Sequence, residues 1–131
     1  MRRSRMSYDE LLRKYGYTMD DVDKAFREKE KKLKKKKYAK EKHPLEDKSR
    51  QRRVGLFVTL RQSDNPLKMF IMQELYVGKK EPELRIGYYI ISKKMLRDKR
   101  KLSLQWGQFN PNFPKKDLKE LLRRAEQKGI L

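Results

Sequence analysis

From Lys29 to Lys42 the chain reads KEKKLKKKKYAKEK, a stretch on which no folded core can be built. Six of the seven residues from Lys31 to Lys37 are lysine, and only Leu33 interrupts them. Like charges at i and i+4 repel along a helix, so an isolated helix here is expected to fray until it meets a polyanion. Any fold must therefore be assembled on either side of this arm. The basic character runs on through Lys48, Arg50, Arg52 and Arg53, beyond what a solvated surface requires.

The whole chain repeats the message. It has 131 residues, with 37 Lys and Arg against 18 Asp and Glu, for a net charge of +19. Charged residues make up 42% of it, well above the usual share of about 25%, so the core is modest and the surface crowded. Such a surplus repels itself and seeks a polyanion. Nucleic acid is the commonest such partner, with an acidic protein or an anionic membrane surface as alternatives. A membrane-surface helix needs a Trp/Phe/Leu face opposite its lysines. Beyond Phe26 the arm offers only Leu33, Tyr38 and Ala39, which disfavours the membrane.

Several chemistries are excluded by composition. There is no cysteine, hence no disulfide, thiolate metal site or thiol nucleophile. The lone His43 precedes Pro44 in a polar stretch and cannot make a zinc site by itself. No apolar run follows the charged N-terminus, and none approaches membrane-spanning length. A soluble protein of the cytoplasm or nucleoid, or of the nucleus in a eukaryote, is expected.

On the N-terminal side of the arm the period is helical. Ser7 and Glu10 fit a capping box, and Tyr8, Leu11, Leu12 and Tyr15 form one apolar face before Gly16. Thr18 can cap a second helix, with Asp20 and Asp21 favourably placed against its dipole. Met19, Val22, Phe26 and Leu33 supply that helix's stripe. The pair could be taken for a helix-turn-helix, but that motif needs a third packed helix and the next elements are strands. A helical hairpin ending in a charged arm is the expectation.

Residues 43–53 lack periodicity and are expected to form a basic linker. After them the pattern alternates. Strands are expected over Val54 to Gln62, Leu67 to Val77, Leu84 to Ile91 and Leu102 to Phe109, with a basic loop from Ser92 to Lys101. Leu118, Leu121, Leu122 and Ala125 then mark a C-terminal helix entered at Pro114 and ended by Gly129. The fold class is α+β. An N-terminal helical hairpin with its arm spans 1–42, and 54–131 form a four-stranded antiparallel meander backed by the C-terminal helix. That helix is expected to cover the face carrying Leu67, Met69 and Ile71, leaving the other face either available or packed under the N-terminal helices as a second core layer.

The available face would carry Phe57, Arg61, Phe70, Tyr76, Arg85 and Tyr89, aromatic and cationic groups that suit base stacking. Arg85-Ile-Gly-Tyr-Tyr-Ile shares the composition, though not the spacing, of sheet-borne RNA readers. Phosphate contacts are assigned to Lys31, Lys32, Lys34, Lys35, Lys36, Lys37, Lys40 and Lys42 of the arm, and to Arg50, Arg52 and Arg53. Lys93, Lys94, Arg97, Arg100 and Lys101 would form a second clamp. Such contacts give affinity and position without reading sequence. Specificity would come from Arg85, Tyr89, Trp106 or the turn from Gln105 to Asn112, whose amides could read base edges or bond to their own backbone.

No catalytic motif is present, and no cofactor or metal is expected. The enzymatic alternative is a metal-dependent nuclease built on Asp64 and Glu74. The expected function is non-enzymatic nucleic-acid binding, with DNA, in particular duplex, ahead of a structured or ribosomal RNA. An acidic protein partner is the alternative outside that class.

Overall fold

Two side-chain caps set the N-terminal helices, and the rest of the fold is built against them. In the computed structural model, which describes residues 7–36, 40–41, 52–78 and 81–131, helix α1 is Tyr8–Lys14 and helix α2 is Met19–Lys35. The Glu10 amide donates to Ser7 Oγ at 3.2 Å. At α2 the capping box is complete, with Asp21 N donating to Thr18 Oγ1 and Thr18 N donating to Asp21 Oδ2 at 2.8 Å. The expectation that the lysine run frays is overturned as far as Lys35, where the helix ends. The physical reason is Leu33, which packs against the core and prolongs the buried stripe of Val22, Ala25 and Phe26. That packing offsets the lysine repulsion.

The sheet is antiparallel in the order β1-β2-β3-β4-β5. Its strands are β1 (Lys40–Glu41), β2 (Arg52–Arg61), β3 (Lys68–Val77), β4 (Glu83–Ile90) and β5 (Gln105–Trp106). Strands β2 to β5 are the expected meander, and β1 adds a short ladder on the outer edge of β2. Strand β2 starts at Arg52, inside what composition assigns to the linker. The fourth strand, expected over Leu102 to Phe109, shrinks to two residues. The expected basic loop instead contains helix α3 (Lys93–Arg97), started by Met95 N donating to Ser92 Oγ at 3.2 Å. Helix α3 buries Met95 and Leu96, and Leu102 and Leu104 join them in the core rather than extending a ladder.

Both faces of the sheet are covered, so the second face is a core layer rather than open, and the two helical layers lie on the faces opposite to those expected. Met69, Ile71 and Tyr89 pack with Leu12, Val22, Phe26, Leu96 and Leu104, so the hairpin and α3 lie on one face. Phe70, Met72 and Tyr88 pack with Leu121 and Ala125 of α4 (Lys115–Lys128) on the other. The C-terminal helix thus sits opposite the face the pattern had assigned to it. Strand β3 is apolar on both sides of its pleat and is buried almost from end to end.

Polar ties fix the layers. Arg61, a candidate for the open face, is used structurally. Its Nη1 is 2.7 Å from Asp23 Oδ1 of α2, its guanidinium lies 3.9 Å from the Phe26 ring, and its Nε donates to Pro66 O. On the other side, buried Asp117 in the first turn of α4 accepts from Ser63 N at 2.9 Å and Ser63 Oγ at 3.1 Å. Hydrogen bonds to a buried charge contribute about 1.5–3 kcal/mol. Asp117→Ala is accordingly expected to lower stability by roughly 2 kcal/mol in urea unfolding, because it leaves the turn amide unpaired.

Candidate nucleic-acid interface

The lysines of α2 divide by helical spacing into different surroundings. Lys29, Lys32 and Lys36 follow one another at i, i+3 and i+7, along one side of the helix. Lys29 is half-buried, with its Nζ 4.3 Å from the centre of the Tyr89 ring. Burial, and then the charges of Lys36 and Lys32, hold its ammonium below the ordinary lysine pKa. Charge is therefore crowded here in the free protein, and a bound anion would relieve it. Lys34 instead joins Glu30 in a cleft of about 660 Å³ between α2, the outer edge of β2 and α4. In that cleft Arg124 Nη1 donates to Thr59 O at 2.8 Å.

Tyr89 links this stripe to the sheet. Alternation along β4 puts Arg85, Gly87 and Tyr89 on the hairpin's face. Trp106 of β5, paired with Tyr89, sits over Gly87 and meets the Tyr89 ring edge-on at 5.1 Å. A Cβ on Gly87 would lie 2.5 Å from two carbons of the indole, so only glycine admits Trp106 at this depth. On the other flank the Arg85 guanidinium is 5.2 Å from the Trp106 ring. Arg85 Nε and Nη2 both donate to Oε1 of buried Gln73, at 3.1 and 3.0 Å. Lys29, Tyr89, Trp106 and Arg85 thus form one continuous cation–aromatic row, with Trp106 42% exposed.

Other candidates join the row only in part. Helix α3 lies on the same face of the sheet, where Lys93, Lys94, Arg97, Arg100 and Lys101 are exposed. They flank the Ile90 end of β4, away from Arg85. Lys101 comes within 3.8 Å of Glu28, the neighbour of Lys29, through a largely exposed pair. Arg53 is not brought into the row, since it pairs with Tyr76, whose alternation places it on the α4 face. Lys31 and Lys35 are exposed on α2. Lys37, Lys42 and Arg50 lie outside the described residues, and Lys40 and Arg52 are described through their backbone pairing alone.

Two residues the sequence did not single out are important. Lys29 is the lysine in contact with the aromatic row, and its i, i+3, i+7 relation to Lys32 and Lys36 was the available signal. Gln73 holds Arg85, and only the register that pairs them reveals it.

Asp64 and Glu74 do not come together. Asp64 lies in the turn before β3, and Glu74 lies six residues beyond Lys68 at the start of that strand, a strand path of about 20 Å at 3.3 Å per residue. Glu74 instead accepts the Leu56 amide at 3.0 Å, where the ladder between β2 and β3 bulges. Among the described residues no group of three or more His, Cys, Asp or Glu could hold a metal ion, and no helix is long and apolar enough to cross a membrane. No protein-family model, curated protein or solved structure matches the chain, so its function is read from its own surfaces.

Proposed function

We propose that this protein is a non-enzymatic nucleic-acid-binding protein of the cytoplasm or nucleoid, with DNA its first ligand and RNA the second. In this reading Lys29, Lys32 and Lys36 neutralise backbone phosphates. The cations of the α3 segment extend that path. Tyr89, Trp106 and Arg85 meet what the phosphates carry. The observation that supports it is the continuity of the row: the lysine stripe of α2 and the aromatic strip of β4 and β5 touch where Lys29 lies over Tyr89. Helix α2 is docked on the sheet from Val22 to Leu33. It therefore offers its lysines as a flank along a backbone rather than as a free helix entering a groove.

The test is a binding titration at several salt concentrations with duplex DNA, single-stranded DNA and RNA. Each neutralised phosphate is expected to contribute a slope of about −0.9 in log K against log salt on duplex DNA, and about −0.7 on a single strand. Tight binding at physiological salt with a slope of several units supports the reading. Absence of tight binding to all three ligands overturns it and favours an acidic protein partner.

A further inference from the structure

The segment from Leu102 to Phe113 carries no charged residue, yet Lys99, Arg100 and Lys101 precede it and Lys115 and Lys116 follow it. It is held firmly. Gly107 N donates to Tyr88 O at 2.8 Å, and Phe109 N donates to Tyr88 Oη at 3.3 Å. Gly107 lies so close to Tyr88 that a Cβ there would run into the ring carbons of Tyr88. At the far end Phe113 stacks on Phe70 with ring centres 4.0 Å apart.

What this anchored loop exposes is unusual. Phe109 is 81% exposed and Trp106 42%. Gln105, Gln108, Asn110 and Asn112 are exposed too, and their side-chain amides make no hydrogen bond among the described residues. No bond among the described residues therefore ties these amides to their own turn. Their donors and acceptors face solvent beside two aromatic rings, in a backbone already fixed before any ligand arrives.

We infer that the loop from Gln105 to Asn112 reads unpaired nucleobases, so that the ligand of this surface is a single strand or an unpaired segment, of DNA or RNA. The inference rests on the nucleic-acid-binding reading above and specifies its ligand. Aromatic rings stack on the faces of unpaired bases, and side-chain amides bond to base edges that pairing would otherwise occupy. In a duplex those faces are stacked on neighbouring pairs and the Watson–Crick edges are taken. The basic residues on both sides of the neutral loop match the phosphates on either side of a splayed base. A loop fixed in advance also loses little entropy on binding.

Trp106 is the sole tryptophan, so its emission reports directly on the loop. The experiment titrates the full chain with a mixed-sequence DNA strand, the RNA strand of the same sequence, the blunt DNA duplex and an abasic strand of equal charge. Trp106 emission is followed alongside the anisotropy of the labelled ligand. The expected result is quenching by one or both base-bearing single strands and little by the duplex or the abasic strand. The DNA and RNA arms show which sugar the site takes. Phe109→Ala alters a side chain that supports no packing and is expected to weaken single-strand binding about tenfold while leaving the salt slope unchanged. If all ligands bind alike, without quenching, and Phe109→Ala changes nothing, the loop does not read bases although the protein binds nucleic acid. If no ligand binds, both readings fall.

Discussion

Replacing Lys29, Lys32 and Lys36 together by glutamine is expected to weaken nucleic-acid binding by about a hundredfold near physiological salt. The size follows from counterion release. Three lost phosphate contacts reduce the salt slope by about 2–3 units, which near 0.15 M amounts to about two decades in affinity. The triple variant should fold at least as well as the parent. Burial and the neighbouring lysines hold the Lys29 ammonium below its ordinary pKa, so its charge opposes the folded state. The sign follows from linkage. A lysine whose folded pKa is lowered binds fewer protons folded than unfolded, so stability rises with pH just below 10.5, the ordinary lysine value. Lys68, lowered chiefly by its own burial, adds to that rise in the same window. The triple variant should lose the Lys29 share of it. Fluorescence anisotropy across salt, with thermal melts from neutral to alkaline pH, measures both effects. Unchanged affinity with an unchanged slope would remove α2 from the binding surface.

Phe70→Ala is expected to cost about 3–5 kcal/mol, the usual range for emptying a fully buried phenylalanine site. Phe70 sits within β3 with no exposed surface, between Leu60 and Tyr88 on the neighbouring strands. It meets Phe113 ring to ring and shares its cluster with Leu121 and Ala125 of α4. The truncation therefore opens a cavity at the junction of sheet, C-terminal helix and the end of the exposed loop. Against a typical total of about 5–15 kcal/mol, this is a large fraction of stability. For a chain of this size the melting temperature should fall by roughly 10–15 °C. Phe70→Leu, which keeps most of the apolar volume, should recover much of the loss. A melt unchanged by Phe70→Ala would mean that α4 and the sheet do not share the core described above.

Local structure was largely legible because it is encoded locally. Ser7 and Thr18 announce helix starts through side chains that satisfy backbone amides three residues on, and both do so. The change from helical to alternating period gives β2, β3 and β4 to within two residues, and the leucine stripe after Pro114 gives α4. Helix α3 was missed although Ser92 stands three residues before Met95. Its five residues are too few for a period, and the lysines around Met95 and Leu96 hide the apolar pair.

The candidate site was legible as an inventory and not as a place. Arg85, Tyr89 and Trp106 could be named from residue type, since cations among aromatics suit stacking on bases. Their assembly depends on Trp106 crossing to Gly87 and on Arg85 meeting Gln73, residues distant in sequence that the ladder brings together. Lys29 joins them only because α2 crosses this face at one particular height. Arg53 and Arg61, equally basic, leave the site for the opposite face and for an ion pair with Asp23.

By itself, then, the sequence determined the class of fold, the caps and periods of its main helices and strands, and a net charge of +19. Which helix covers which face was decided only in three dimensions. Met69 and Ile71 on one side of β3, and Phe70 and Met72 on the other, are equally apolar, so alternation carries no preference between them. The lysine arm followed the same rule: its repulsion is a local property, and its helix persists because Leu33 finds a distant core to pack against.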